Sequence, residues 1–100
     1  MAVHVRKLQE HGSLIKPPLS QRIKSGYVIL HPGESVGEHV TDQREEVIVI
    51  LEGVATVQVD DEVEIVHAGC IVYIPANKKH NITNNTEDEL RYTYIVSLHV

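Results

Sequence analysis

A run of five consecutive apolar residues, 47–51, is the feature that most constrains the fold of this chain. Four of the five are valine or isoleucine, which favour β-strands over helices. Glu52 and Gly53 end the run. Because successive side chains of a strand point to opposite faces, both faces of this strand are apolar, and we expect both to be buried.

Short segments with strand-like alternation recur along the rest of the chain, separated by turn residues. The predicted strands occupy residues 2–8, 20–30, 45–51, 54–59, 62–67, 70–74, 80–83 and 90–100. Short strands with turn signals at spacings of roughly 8–12 residues are typical of sandwiches and barrels. The pattern therefore predicts an all-β fold, since no segment shows a persuasive helical period.

Alternation also assigns faces to the predicted strands. The expected interior face of residues 20–30 carries Ile23, Ser25, Tyr27 and Ile29. The apolar face of residues 90–100 carries Leu90, Tyr92, Tyr94, Val96 and Leu98. Residues 2–8 are expected to form an edge strand, and residues 10–19 a loop, because Gly12 and two prolines interrupt that segment.

The length of the chain predicts one domain spanning residues 1–100, in which residues 1–19 form the edge strand and loop. A domain of this size buries a modest fraction of its surface. The second apolar face of residues 47–51 therefore needs a cover, and a second copy of the chain is the economical candidate. We expect a homodimer in which residues 1–19 are available to face the partner.

Charge and composition exclude several classes of protein. The formal net charge is −5, and the five basic residues and one acidic residue of positions 1–31 leave the remainder strongly acidic. An acidic chain without a basic stripe argues against nucleic-acid binding. No apolar run approaches the roughly 20 residues that span a bilayer, and no leader opens the sequence. With Cys70 as the single cysteine, we expect a cytoplasmic protein without a membrane anchor.

Candidate metal ligands follow the turn residues that precede the central strand. His39, Gln43 and Glu46 lie in this stretch, and His80 lies in a loop that follows a second short apolar strand. Imidazoles combined with a carboxylate at strand ends suit a divalent transition metal. Glu45, whose side chain should point the other way from that of Glu46, is expected to be a solvated surface charge.

These stretches resemble the two signature motifs of the cupin family. The first motif, Gly-x5-His-x-His-x3–4-Glu-x6-Gly, is matched by Gly33, His39, Glu46 and Gly53. The second motif, Gly-x5-Pro-x-Gly-x2-His-x3-Asn, is matched by Gly69, Pro75, His80 and Asn84. Two positions depart from the family: Thr41 replaces the second histidine and Asn77 replaces a glycine.

The resemblance implies a cupin jelly roll, a small antiparallel β-barrel that can hold a site in its mouth. It also implies that His39, Glu46 and His80 bind a divalent metal (Fe, Mn, Ni, Co or Zn), with Gln43 as a substitute for the donor that is missing at Thr41. Such a protein would bind or act on a small molecule, in a reaction that the motifs do not specify. The alternative is a metal-free module that binds a small ligand or self-associates without catalysis.

Other polar side chains are weaker candidates for the site. The Tyr27 hydroxyl is a candidate hydrogen-bond donor to a ligand, although core packing is the more common role of such a residue. Lys78 and Lys79 flank His80 at the expected rim, where they would attract an anionic ligand or form a solvated pair.

Overall fold

A computed structural model describes residues 3–98, which form nine antiparallel strands arranged in two sheets. The strands are β1 (Gly12–Ile15), β2 (Ile23–Leu30), β3 (His39–Val40), β4 (Glu46–Glu52), β5 (Val54–Val59), β6 (Glu62–His67), β7 (Ile71–Ile74), β8 (Lys79–Thr83) and β9 (Leu90–Ser97). The all-β prediction is confirmed, and most predicted strands lie within one or two residues of these bounds. Residues 99 and 100 of the predicted last strand lie outside the described residues.

The two sheets face each other across the core. The larger sheet has the strand order β1-β2-β9-β4-β7, and the smaller has the order β3-β8-β5-β6. The apolar run of β4 lies between β9 and β7, so its backbone groups are hydrogen-bonded on both sides. This arrangement brings β3 and β8 of one sheet opposite the start of β4 in the other.

The core is built from the inward faces of both sheets. Ile48 and Ile50 of β4 are fully buried, as are Ile74 and Leu90. The predicted apolar face of β9 is confirmed, because Leu90, Tyr92 and Val96 are buried and Tyr94 packs against the core. The outer face of β4 is less covered: Val47 and Val49 are half-buried, and Leu51 is 43% exposed within the single chain.

The predicted interior face of β2 is wrong. Val28 and Leu30 belong to the core cluster, whereas Ile23 is 47% exposed and Tyr27 is buried on the opposite face. The interior face of β2 therefore also carries Lys24 and Gly26, the two residues that made this face appear unsuited to burial. Gly26 fits because its cross-strand partner is the bulky Tyr94.

The predicted N-terminal edge strand is also placed wrongly. Among residues 3–8 no strand is formed, and Val3 and Val5 are 70% and 80% exposed. The edge strand is Gly12–Ile15, which lies within the predicted loop and pairs with β2. β1 pairs with the edge of β2 that residues 3–8 would have needed, and one strand edge can pair with only one strand.

The described residues contain no helix, and hence none that is long and apolar enough to cross a membrane.

Candidate metal centre

Strand pairing places the two predicted histidine ligands side by side. His39 of β3 and His80 of β8 are direct cross-strand partners. Their ring centroids lie 4.1 Å apart, and the ring planes are inclined at 60°. His80 is buried and His39 is exposed, so the pair runs from the interior of the protein to its surface.

Backbone carbonyls hold both imidazoles in the same tautomer. The Nδ1 of His39 lies 2.9 Å from the Gly37 carbonyl oxygen, and the Nδ1 of His80 lies 3.1 Å from that of Lys78. Because a carbonyl oxygen can only accept, each Nδ1 must carry the hydrogen. In the neutral imidazole each Nε2 therefore keeps its lone pair, which is the form that binds a metal ion.

The carboxylate comes from the opposite sheet. Glu46 is the first residue of β4, and its Oε1 lies 3.5 Å from the Nε2 of His80. One ligand atom each from His39, Glu46 and His80 lies within 4.8 Å of the others. The predicted trio is thus brought to a common point by strands from two sheets.

The Nε2 atom of His80 is a polar atom that lacks a hydrogen-bond partner among the described residues. It is buried, and it has no hydrogen bond within the described part of the chain. Buried polar atoms are almost always satisfied, so this position suits a water molecule or an ion that would pair with Nε2. A metal ion at this point would accept the Nε2 lone pair and join it to the Glu46 carboxylate.

Glu46 also perturbs the protonation of its neighbour. The pKa of His80 is raised above its ordinary value, chiefly by the nearby Glu46 carboxylate, whose Oε1 lies 3.5 Å from Nε2, beyond a well-formed hydrogen bond. Burial acts in the opposite direction, and the Lys78 carbonyl adds to the increase. A proton and a metal ion would compete for the same Nε2 atom.

The donor set fits a divalent transition metal. Two neutral imidazoles and one carboxylate are the ligands found around iron, manganese, nickel, cobalt and zinc. Three protein ligands leave coordination positions open for water or a small molecule, as in catalytic rather than structural sites. The structure therefore contains a group of residues that could hold a metal ion. The donor set alone does not select one metal among these.

The two residues considered for the fourth position lie in different surroundings. Thr41 lines the cavity beside the histidines, as its place in the motif predicts. Gln43 is exposed and is absent from the cavity lining, and its backbone N–H donates to the Asn77 side chain over 2.7 Å. The role of Gln43 as a ligand stays a prediction.

Asn77, which replaces a motif glycine, fixes the loop that carries Thr41. Its φ of 65° lies in the left-handed region, which asparagine tolerates better than most residues. Its backbone N–H donates to the Thr41 carbonyl over 3.1 Å, and its side chain accepts from Gln43. The departure from the motif thus adds a side-chain bond between the two loops of the site.

A cavity of about 470 Å³ opens next to the trio. Its walls combine apolar side chains with two tyrosines, two basic residues and two acidic residues. Besides His39, Thr41 and His80, the lining residues are Lys24, Val28, Val36, Val40, Asp42, Arg44, Glu46, Ile82, Tyr92, Tyr94 and Val96. The volume falls within the range of roughly 300–1,000 Å³ that is typical of small-molecule sites.

Several residues of the cavity wall are not among the predicted site residues. The sequence pattern assigns Tyr92 and Tyr94 only to an apolar face, and it does not single out Lys24 or Arg44. The pKa of Tyr92 is raised by burial and, to a lesser extent, by the charge of Glu46 and by Tyr94, so the phenol stays neutral. The alternation of β9 placed both tyrosines inside, but only the structure shows that they reach the cavity.

Other candidates lie away from the cavity. The Tyr27 hydroxyl accepts a hydrogen bond from Arg91 over 3.2 Å, on the opposite face of β2. Lys78 and Lys79 form ion pairs with Asp60 and Glu38. Neither lysine lines the cavity beside the histidines.

Comparisons with known proteins agree with this architecture. The Cupin_2 family model, described as a cupin domain, matches residues 26–96. The chain is 31% identical over 72 residues to the polyketide synthase CurC of Streptomyces cyaneus. The aligned region covers 72% of this chain and 47% of that protein. The chain therefore spans about half the length of this curated relative.

Solved structures show the same fold. The Cnp3 cupin domain of Schizosaccharomyces pombe superposes with a TM-score of 0.81 at 18% identity, covering 97% of this chain and 69% of that one. A Cupin 2 conserved barrel domain protein from Salinispora arenicola CNS-205 superposes with a TM-score of 0.79 at 23% identity, covering 100% of this chain and 92% of that one. Since the family match includes all three candidate ligands, the resemblance seen in the motifs is confirmed, and this chain belongs to the cupin family.

Proposed function

We propose that this cupin holds a divalent transition metal through His39, Glu46 and His80 and presents it to a small molecule in the adjoining cavity. The observation that carries the proposal is the buried Nε2 of His80, which lacks a hydrogen-bond partner within residues 3–98 and faces a carboxylate. The fixed tautomers of both histidines support the same conclusion, because they direct lone pairs rather than protons toward a common point.

The residues around the metal position have separable tasks. His39 and His80 would supply neutral donors without needing to reorient, and Glu46 would offset part of the positive charge. When bound, the metal would supply Lewis acidity at an open coordination position. The neutral Tyr92 phenol in the cavity wall is able to donate a hydrogen bond to a small molecule.

Metal binding is tested directly by calorimetry on protein produced without an affinity tag and stripped with a chelator. We expect Ni²⁺, Zn²⁺ or Mn²⁺ to bind with one ion per chain. His39→Ala and His80→Ala should each weaken binding by more than about tenfold, the equivalent of 1.4 kcal/mol. The exposed His67 provides the matched control, since His67→Ala removes an imidazole outside the site.

Full metal occupancy in either ligand variant would remove that residue from the coordination sphere. Failure of every transition metal to bind the wild-type protein would overturn the proposal. Circular dichroism of each variant separates a lost ligand from a lost fold.

A second function, a metal-free module that binds a small ligand, is favoured by Thr41. A threonine hydroxyl is a poor ligand beside imidazole, and it replaces a family histidine in the cavity wall. In that case a charged contact between His80 and Glu46 would hold the site together without an ion. Ligand binding that is unchanged by a chelator would favour this second function.

The cytoplasmic location and the homodimer expected from the sequence are also proposals. The first is supported by the single cysteine, and the second by the half-exposed outer face of β4.

A further inference from the structure

Basic side chains are distributed unevenly between the surface and the cavity. Residues 32–98 contain four lysines and arginines, namely Arg44, Lys78, Lys79 and Arg91. Lys78 pairs with Asp60, Lys79 with Glu38, and Arg91 with Glu52 and Glu89. Arg44 lines the cavity and has no ion pair within the described residues.

Lys24 of β2 is the second basic residue of this kind. It lies on the interior face of β2 opposite Val96, lines the same cavity, and has no ion pair within residues 3–98. Both Lys24 and Arg44 are half-buried, so each side chain packs partly against the wall of the cavity. In a chain with 14 acidic residues, two cations that line one cavity without an ion pair among residues 3–98 suit the binding of an external anion.

We propose that the small molecule taken by this cavity is a compact organic carboxylate, whose anionic group is held by Lys24 and Arg44. This inference rests on the proposed function in that it assigns the ligand class of the same cavity. Guanidinium and ammonium groups bind carboxylates through charge-assisted hydrogen bonds. The apolar walls at Val28, Val36 and Ile82 suit a short hydrocarbon portion rather than an inorganic ion.

Two carboxylates also line the cavity, and they do not reverse the argument. Glu46 is directed toward His80, at 3.5 Å from its Nε2. Asp42 has an interaction of its own and is exposed at the rim. A divalent metal at the trio would further offset the charge of Glu46, which is one reason to expect tighter anion binding when the metal is present.

The test is a titration of chelator-stripped protein with malonate, followed by amide chemical shifts at constant ionic strength. Neutral malonamide, of the same size, serves as the uncharged comparison, and inorganic phosphate as the carbon-free anion. We expect malonate to bind at the cavity and malonamide to bind at least about tenfold more weakly. The same titration on zinc-loaded protein should give tighter malonate binding.

Substitutions distinguish a specific role of Lys24 and Arg44 from a general effect of the protein's positive charge on malonate binding. Lys24→Gln and Arg44→Gln should each weaken malonate binding on the order of tenfold, as expected for one charge-assisted hydrogen bond. Lys7→Gln and Arg22→Gln remove the same charges from exposed positions and should change it less than about twofold. Lys24→Arg, which keeps the charge, should retain binding and guards against a variant that fails to fold.

The outcomes distinguish this inference from the metal proposal. Malonate binding that depends on Lys24 and Arg44 in a protein that binds no metal would support the carboxylate site and reject the metal. Metal binding with equal affinities for malonate and malonamide would overturn the carboxylate site. Equal losses of malonate affinity in Lys24→Gln and Lys7→Gln would also overturn the carboxylate site. Tighter binding of phosphate than of malonate would do the same.

Discussion

The phenol ring of Tyr94 lies across the backbone of Gly26, its direct cross-strand partner, and a Cβ at Gly26 would overlap that ring. The glycine therefore provides the space into which Tyr94 packs, at the edge of the cavity. A glycine in the middle of a strand weakens it, because it has no side chain to pack and loses more entropy on folding. Here the Tyr94 ring covers the strand surface that a side chain at residue 26 would otherwise occupy.

Gly26→Ala should consequently displace Tyr94 and destabilise the fold by about 1–3 kcal/mol, the usual cost of overpacking. Urea denaturation of the metal-free protein measures this change. In a Tyr94→Ala background the same substitution should cost much less, since the overlapping ring is gone. Ser25→Ala, one residue earlier on the other face of β2, provides the control. Equal costs of Gly26→Ala in the two backgrounds would contradict the assigned contact.

The contact between His80 and Glu46 predicts a pH-dependent stability in the metal-free protein. Because the folded-state pKa of His80 is raised, its contribution is fully present below the unfolded pKa of about 6.5. The contribution is lost as the pH rises through the raised folded value. The free energy of unfolding of wild type relative to Glu46→Gln should therefore decrease between slightly acidic and alkaline pH.

Urea denaturation at a series of pH values, with a chelator present, measures this difference. The neighbouring Glu45→Gln is the matched control, since Glu45 accepts a hydrogen bond from Tyr73 rather than from a histidine. Below the alkaline range in which Tyr73 titrates, its pH profile should follow that of the wild type, since Glu45 raises the pKa of Tyr73 rather than that of a histidine. Parallel profiles for wild type and Glu46→Gln would show that the carboxylate does not stabilise the imidazolium.

Period-two patterns predicted the strands from residue 45 onward because each of those segments has one consistently apolar face. The same reasoning failed for β2, where Lys24 and Gly26 lie on the interior face. Lys24 is tolerated because it opens into a cavity, and Gly26 because Tyr94 covers it. A single strand's sequence contains no information about what lies opposite, so positions that serve the cavity appear as errors in the pattern.

The candidate ligands were predictable for a different reason. His39, Glu46 and His80 occupy positions of a two-part motif, and the motif encodes the strand pairing that brings them together. The tautomers, and the lack of a hydrogen bond to the Nε2 of His80 within residues 3–98, were not predictable, because they depend on carbonyls and burial that only the assembled sheets define.

Restoring the family histidine should strengthen the metal site. Thr41 lines the cavity, so an imidazole at this position would add a nitrogen donor in place of a neutral hydroxyl. We expect Thr41→His to tighten Ni²⁺ or Zn²⁺ binding on the order of tenfold, measured by calorimetry. Ser13→His adds an exposed histidine on β1 and controls for adventitious binding. Unchanged affinity in Thr41→His would place residue 41 outside the coordination sphere.

The outer face of the larger sheet leads to the prediction of a homodimer. Val47 of β4 lies between Tyr73 and Ile95, and Val49 lies between Ile71 and a threonine of β9. Ile71 is 68% exposed and Tyr73 is 56% exposed, which leaves apolar side chains at the surface beside the exposed Glu45, whose carboxylate accepts a hydrogen bond from the Tyr73 hydroxyl. A second copy of the same face would cover these apolar side chains, as isologous dimers do.

Sedimentation velocity at micromolar concentration should therefore show a dimer. Ile71→Asp places a carboxylate in each half of the proposed interface and should weaken association by more than about tenfold. Val63→Asp makes a similar change at a residue of β6 that is 58% exposed in the other sheet, and this variant should remain dimeric. A monomeric wild type would reject self-association at these concentrations. Equal weakening by the two substitutions would place the interface elsewhere, because only Ile71 neighbours the apolar run of β4.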